Sequence, residues 1–369
     1  MSRFFDIVSK PARRMGSANA TSAPAASQLR SRVIKLDSNE NPFGPSPHVI
    51  DAMKRALASA NLYPDDDSLP LRRKLAIHHN LQPEQVLVTA GSTAFLSLLC
   101  QTLLGTGLNA VTSERSFIVY SMVAQSAGGQ LIEAPMRNDN IDLEAILGAI
   151  DANTRIVFLA NPNNPTGTIL EAASVEAFLA QVPSHVVVVL DEAYYEFAAH
   201  FAALRKIEYS NSIEYVRQNA SLVVLRTFSK AHGLAGLRVG YGMGPAELLG
   251  YCSRMRNTFS VSSAAQAAAL VAIDEPAYIR RVVENNAAQS EVLTQQLSGT
   301  GFRVVPTSAN FVFCDVGEDA AAFANRLRQK DVAVRPLASW GAPTCIRVTI
   351  GTPEQNDSFL RALRSTAQH

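Results

Sequence analysis

"HVVVVLDEAY" occupies residues 185–194. Its aliphatic run shows no alternation of polar and apolar side chains, so a strand formed here is buried on both faces, as in a parallel sheet. The same reading applies to "VLVTA" (86–90), "NAVTS" (109–113), "GQLIEAP" (129–135), "RIVFLA" (155–160), "SLVVLRTFS" (221–229) and "LRVGYGM" (237–243). Between several of these runs lie helical patterns such as "STAFLSLLCQTLL" (92–104) and "EAASVEAFLAQ" (171–181). Strand, helix, strand in succession predicts an α/β fold: a mainly parallel sheet wrapped by helices.

The pattern changes near residue 260. A long helical region, "AAQAAALVAIDEPAYIRRVVENNAAQSEVLTQQL", precedes "FRVVP", "NFVFCDV", "VAVRP" and "CIRVTI", which together read as a smaller α+β unit. The predicted organisation is an N-terminal arm over 1–35, a large domain over 36–258 and a small C-terminal domain over 259–369. The arm is rich in Ser, Ala and Arg and lacks the apolar run of a secretory signal, so it reads as a segment that docks on a partner subunit, with a transit peptide as the alternative its composition allows.

The 33 basic and 32 acidic residues give a net charge of +1, so no general pull toward nucleic acid or a membrane surface follows. No apolar stretch is long enough to span a bilayer. Cys100, Cys252, Cys314 and Cys345 are widely spaced and form no CxxC pair, which argues against a zinc site or a disulfide framework and for a reducing, cytoplasmic setting.

The strand ends carry the chemistry. In "RTFSKAHGLAGLRVGY" (226–241), Lys230 follows an apolar run, where it either snorkels to water from a helix start or is used. Asp191 ends the run quoted first, as a helix N-cap or as an acid awaiting a cation. "NPNNPTG" (161–167) is an Asx turn or a loop presenting amides. "TAGSTAFL" (89–96) opens a helix; Gly91, Ser92 and Thr93 either cap it or hold a phosphate there. "GYGMG" (240–244) lacks the spacing of a dinucleotide fingerprint. Together these groups are what pyridoxal phosphate requires: Lys230 for the Schiff base, Asp191 for the ring nitrogen, and Ser92, Thr93, Ser229 and Arg238 for the phosphate.

At this point the chain resembles the fold-type-I, class I/II aminotransferases, and within them the histidinol-phosphate aminotransferase branch. The resemblance runs through "LDSNENPFGPS" (36–46), "YPDDD" (63–67), "NPNNPTG", "DEAYYEF" (191–197), "RTFSKAHGLAGLRVGY" and "IRVTIGTPEQN" (346–356). It implies pyridoxal phosphate as cofactor, histidinol phosphate and glutamate/2-oxoglutarate as substrates, and a homodimer. It implies that Asn164 and Tyr194 bond the cofactor's phenolic oxygen and that Phe117 stacks on its ring. It further implies that Tyr63 reaches the neighbouring subunit's cofactor phosphate and that Arg335 and Arg347 grip the substrate's anionic end. The family's proline upstream of the stacking aromatic is absent from "SERSF" (113–117). An aromatic amino acid aminotransferase, or a pyridoxal-phosphate lyase such as a phosphothreonine decarboxylase-like enzyme, would use the same cofactor residues.

Overall fold

The computed structural model describes residues 8–14, 33–218 and 221–366. The arm predicted over 1–35 lies mostly outside these residues; within it the structure gives a short helix, Lys10–Arg14. The strands in chain order are β1 (Ile34–Leu36), β2 (Val86–Thr89), β3 (Asn109–Ser113), β4 (Gln130–Ala134), β5 (Met136–Arg137), β6 (Asn140–Ile141) and β7 (Thr154–Ala160). They continue with β8 (Val187–Asp191), β9 (Leu222–Thr227), β10 (Gly240–Met243), β11 (Arg303–Val305), β12 (Phe311–Asp315), β13 (Val332–Leu337) and β14 (Ala342–Thr349).

The large sheet has the order β2-β10-β9-β8-β7-β3-β4. All its pairings are parallel except the two made by β10. Its central strands feed two cores. Val188 and Leu190 of β8 and Leu222 and Val224 of β9 enter one apolar cluster. Val189 of β8 and Val223 and Leu225 of β9 enter the other, on the opposite face. Successive side chains are therefore all apolar, which is the physical content of the unalternated runs. Each such burial contributes about 1.5–3 kcal/mol.

The small sheet, β1-β13-β14-β12-β11, is antiparallel except for β1, which pairs parallel with β13. Its core joins Val312, Val334, Ile346 and Val348 to Leu293 and Leu297 of the helix Pro276–Gly299. Packing crosses the 258/259 division read from the sequence in both directions. The helical run 264–297 breaks before Pro276, which takes the first position of a new helix. The helix before that break, Ser263–Ala272, adds Ala265, Ala268 and Ala269 to the large domain's core. β1, from the other end of the chain, completes the small sheet.

Among the described residues no helix is long and apolar enough to cross a membrane. The four cysteines are buried and free.

Candidate active site

The carboxyl ends of β2, β3, β7, β8 and β9 lie at one edge of the large sheet. Gly240, the first residue of antiparallel β10, pairs with Thr89 and with Thr227 and so starts at that same edge. This is where parallel α/β sheets bind ligands, because the loops leaving the strands converge there. A cavity of about 430 Å³ opens between this edge and the small sheet. Its wall includes Ser92, Thr93, Phe117, Asn164, Asp191, Tyr194, Ser229, Lys230, Arg238, Arg335 and Arg347.

Asp191, only 4% exposed, ends β8. Its Oδ2 accepts from the hydroxyl of Tyr120 at 2.9 Å and its Oδ1 from the Ala193 N–H at 3.2 Å. Burial pushes its pKa up to about 6, against the pull of these two donors. Lys230 follows β9 and donates from Nζ to the Ser38 carbonyl at 3.3 Å. Burial, then the Arg347 charge, push its pKa down to about 7.

The helix Ser92–Leu103 points its N-terminus at the cavity. Gly91 before it has φ +81°, and a Cβ there would stand 2.6 Å from Arg238 Nη2. Only glycine leaves that guanidinium its place beside the helix start. Arg238 donates to Ser229 Oγ at 3.4 Å and to the Ala235 carbonyl at 3.0 Å. Amide N–H groups, hydroxyls and one guanidinium thus face the same corner, an anion cradle.

Opposite lies the small sheet's contribution. Arg347, 5% exposed, donates to Asn164 Oδ1 at 2.5 Å and to the Asp37 carbonyl at 3.0 Å. Its Nε is buried with no hydrogen-bond partner among the described residues. Burial pushes its pKa down to about 10, and Arg335 adds to this. Lys230, Arg238, Arg335 and Arg347 face the carboxylates of Asp191 and Glu40, and Glu40 is engaged by Lys35 at 3.2 Å. None of those four cations has a carboxylate within ion-pair distance among the described residues. A half-buried site with this imbalance calls for an anionic ligand.

The aminotransferase class I and II family matches residues 31–363. This chain belongs to that family. A histidinol-phosphate aminotransferase of Moorella thermoacetica is 42% identical over 335 residues, covering 90% of this chain and 85% of that protein. Histidinol-phosphate aminotransferase 2 of Pseudomonas aeruginosa is also 42% identical, over 91% of this chain and 90% of its own. Among solved structures, the Sinorhizobium meliloti histidinol-phosphate aminotransferase in complex with pyridoxal-5'-phosphate matches with a TM-score of 0.86 at 26% identity, covering 99% of each chain. An aspartate aminotransferase of Thermus thermophilus with maleate matches at 0.84 and 25% identity, over 98% of this chain and 99% of that one.

Of the residues singled out from the sequence of this aminotransferase, two are not in the cavity wall. Gly91 acts one position behind it, by the space it leaves. Tyr63 lies on the surface, 81% exposed, with its ring stacked on Phe259 at 4.5 Å. Phe117 lines the cavity although the loop before it lacks proline; Arg115 there takes φ +49°. His232 packs on Phe228 and faces Glu196 at 3.5 Å. Trp340 also lines the cavity.

Sequence reasoning missed three groups. Tyr120 bonds Asp191 and sits three residues after Phe117, one helical turn on, which was the available signal. Asn39 donates to the Tyr194 hydroxyl at 2.9 Å. The Asp37 and Ser38 carbonyls accept from Arg335, Arg347 and Lys230, and no residue pattern announces a main-chain role.

Proposed function

We propose that this aminotransferase uses pyridoxal phosphate to move the amino group of histidinol phosphate to 2-oxoglutarate. The observation that carries the substrate is the Arg335–Arg347 pair, two guanidiniums that share the Asp37 carbonyl on the cavity wall and have no carboxylate partner among the described residues. Paired forks suit the several oxygens of a phosphate. They also suit the distal carboxylate of glutamate, so one site serves both half-reactions. Histidinol phosphate has no carboxylate, so its phosphate is the anion that the pair meets. The name shared by the relatives at 42% identity supports the same substrate.

The cofactor fits the residues present: an anion cradle at Gly91, Ser92, Thr93, Ser229 and Arg238, a buried acid at Asp191, and an amine at Lys230. Tyr194 and Asn164 line the same cavity, Asn164 accepting from Arg347, and Phe117 supplies a ring for stacking. Bound pyridoxal phosphate supplies an aldehyde carbon for the amino group and a ring that withdraws electrons from it. Asp191 holds the positive charge of the ring nitrogen. With the cofactor bound, Lys230 Nζ would take the proton from the substrate carbon that bears the amine and deliver it to the former aldehyde carbon of the cofactor, and the burial that lowers its pKa favours the neutral amine this needs. Two substrates use one site in turn, so the kinetics are ping-pong.

The functional unit in this reading is a cytoplasmic homodimer. The exposed Tyr63 and Phe259 rings support it, as apolar surface that a second copy covers. In this reading residues 36–258 and 259–369 form the bulk of its large and small domains, with β1 added to the small sheet and the helix Ser263–Ala272 to the large core.

A transamination screen tests the function, with 2-oxoglutarate as acceptor and histidinol phosphate, phenylalanine, tyrosine and phosphothreonine as donors. Histidinol phosphate is the best donor. Preference for phenylalanine makes the chain an aromatic aminotransferase, and release of carbon dioxide from phosphothreonine without amino transfer makes it a lyase.

A further inference from the structure

We infer that Tyr120 is a positioning residue: it holds the Asp191 carboxylate in the orientation and charge state that bind the cofactor's ring nitrogen. This rests on the function proposed above and adds to it a residue that does not itself line the cavity. Four observations carry it.

The Tyr120 hydroxyl donates to Asp191 Oδ2 at 2.9 Å while the Ala193 N–H donates to Oδ1 at 3.2 Å. One donor on each oxygen fixes the plane of the carboxylate and leaves lone pairs for the cavity. Tyr120 is also locked in place. Its ring is fully buried, stacks on Phe158 at 4.5 Å and 5°, and meets Phe117 edge-on at 5.6 Å. Phe117 lines the cavity, so the same ring ties the acid to the stacking aromatic.

The charge balance points the same way. Asp191 is buried, Glu192 follows it, and both features favour its neutral form. A hydroxyl donating to the charged form opposes them. Burial raises the tyrosine's own pKa well above its ordinary value, so its proton stays on the hydroxyl and the bond keeps one direction. Finally, Tyr120 serves no other polar group: Asp191 is the only hydrogen-bond partner of its hydroxyl among the described residues.

The test is a two-by-two comparison of cofactor affinity. Apoprotein is titrated with pyridoxal phosphate and followed by the fluorescence of Trp340, the single tryptophan, which lines the cavity. Tyr120→Phe keeps the ring and its stack and removes only the hydroxyl; the melting temperature of the apoprotein monitors its fold. A hydrogen bond to a charged group is worth about tenfold or more in affinity. Tyr120→Phe therefore weakens cofactor binding about tenfold in the native background. In an Asp191→Asn background, where the charge it steadies is gone, it changes binding by no more than about twofold. Equal loss in both backgrounds, or no loss in the native one, overturns the inference and leaves the function standing. A native protein that takes up no pyridoxal phosphate overturns both.

Discussion

Arg335 and Arg347 stand directly opposite each other in the antiparallel β13–β14 pair, and both line the cavity. Like charges directly opposite destabilise a strand pair. Here both lean on one acceptor, the Asp37 carbonyl, Arg335 through Nε at 3.2 Å and Arg347 through Nη2 at 3.0 Å. A neutral carbonyl cannot cancel two positive charges. The register of the small sheet therefore maintains a repulsion that an anion relieves.

Arg335→Ala follows from this directly. Loss of one charged fork costs about 1.5–3 kcal/mol, or roughly 10–150-fold in kcat/KM for histidinol phosphate. Phenylalanine, which brings no phosphate, loses much less. Steady-state kinetics with both donors check this, and equal damage to both removes the phosphate from the site.

Lys230→Ala abolishes turnover, because no other amine lines the cavity among the described residues. In the native apoprotein, the pKa near 7 sets the pH dependence of cofactor uptake. Lowering a lysine's pKa favours the neutral, nucleophilic amine. Its fraction rises from about a tenth at pH 6 to about nine-tenths at pH 8. Stopped-flow absorbance after mixing with pyridoxal phosphate shows a rate that climbs through pH 7 and levels off by pH 8. A rate still rising tenfold per pH unit above pH 8 indicates an ordinary lysine.

Asp191→Asn separates stability from function. The folded-state pKa of Asp191 is raised to about 6, so above that pH its ionised form works against the folded apoprotein. The amide removes that cost. The melting temperature of the apoprotein at pH 7.5 does not fall, while the increase on adding cofactor shrinks and most activity is lost. Unchanged affinity and rate reduce Asp191 to a cap for the chain that follows it.

Mixing subunits tests the role of Tyr63. A Tyr63→Phe chain and a Lys230→Ala chain combine into dimers with one intact site and one doubly damaged site. Activity in the mixture then exceeds the average of the two parents. Activity equal to that average places Tyr63 outside the neighbour's site.

The strands of the large sheet were legible because β8 and β9 bury both faces, and that demand is written in consecutive residues. The positions of Lys230, Asp191 and Arg238 were legible for a related reason. Charges that border apolar runs need partners, and only a few ligands supply them. The domain division was less legible. The helix Ser263–Ala272 shows the same alanine-rich face whichever core it joins, and its contact with the helix Pro47–Leu57 is decided by packing across more than 200 residues. β1 is only three residues long, too short for a periodic signal, and exists because β13 offers it an edge.

By itself, then, the sequence determined the parallel sheet, the turns at its carboxyl edge and the types of group those turns display, since each follows from apolar periodicity and local backbone preference. Tertiary structure decided which groups meet: Arg335 opposite Arg347, Tyr120 on Asp191, and the Asp37 carbonyl beneath both arginines. Those meetings depend on strand register and on how the two sheets close around one cavity. Register is set by contacts between residues far apart in the chain, and no local pattern encodes it.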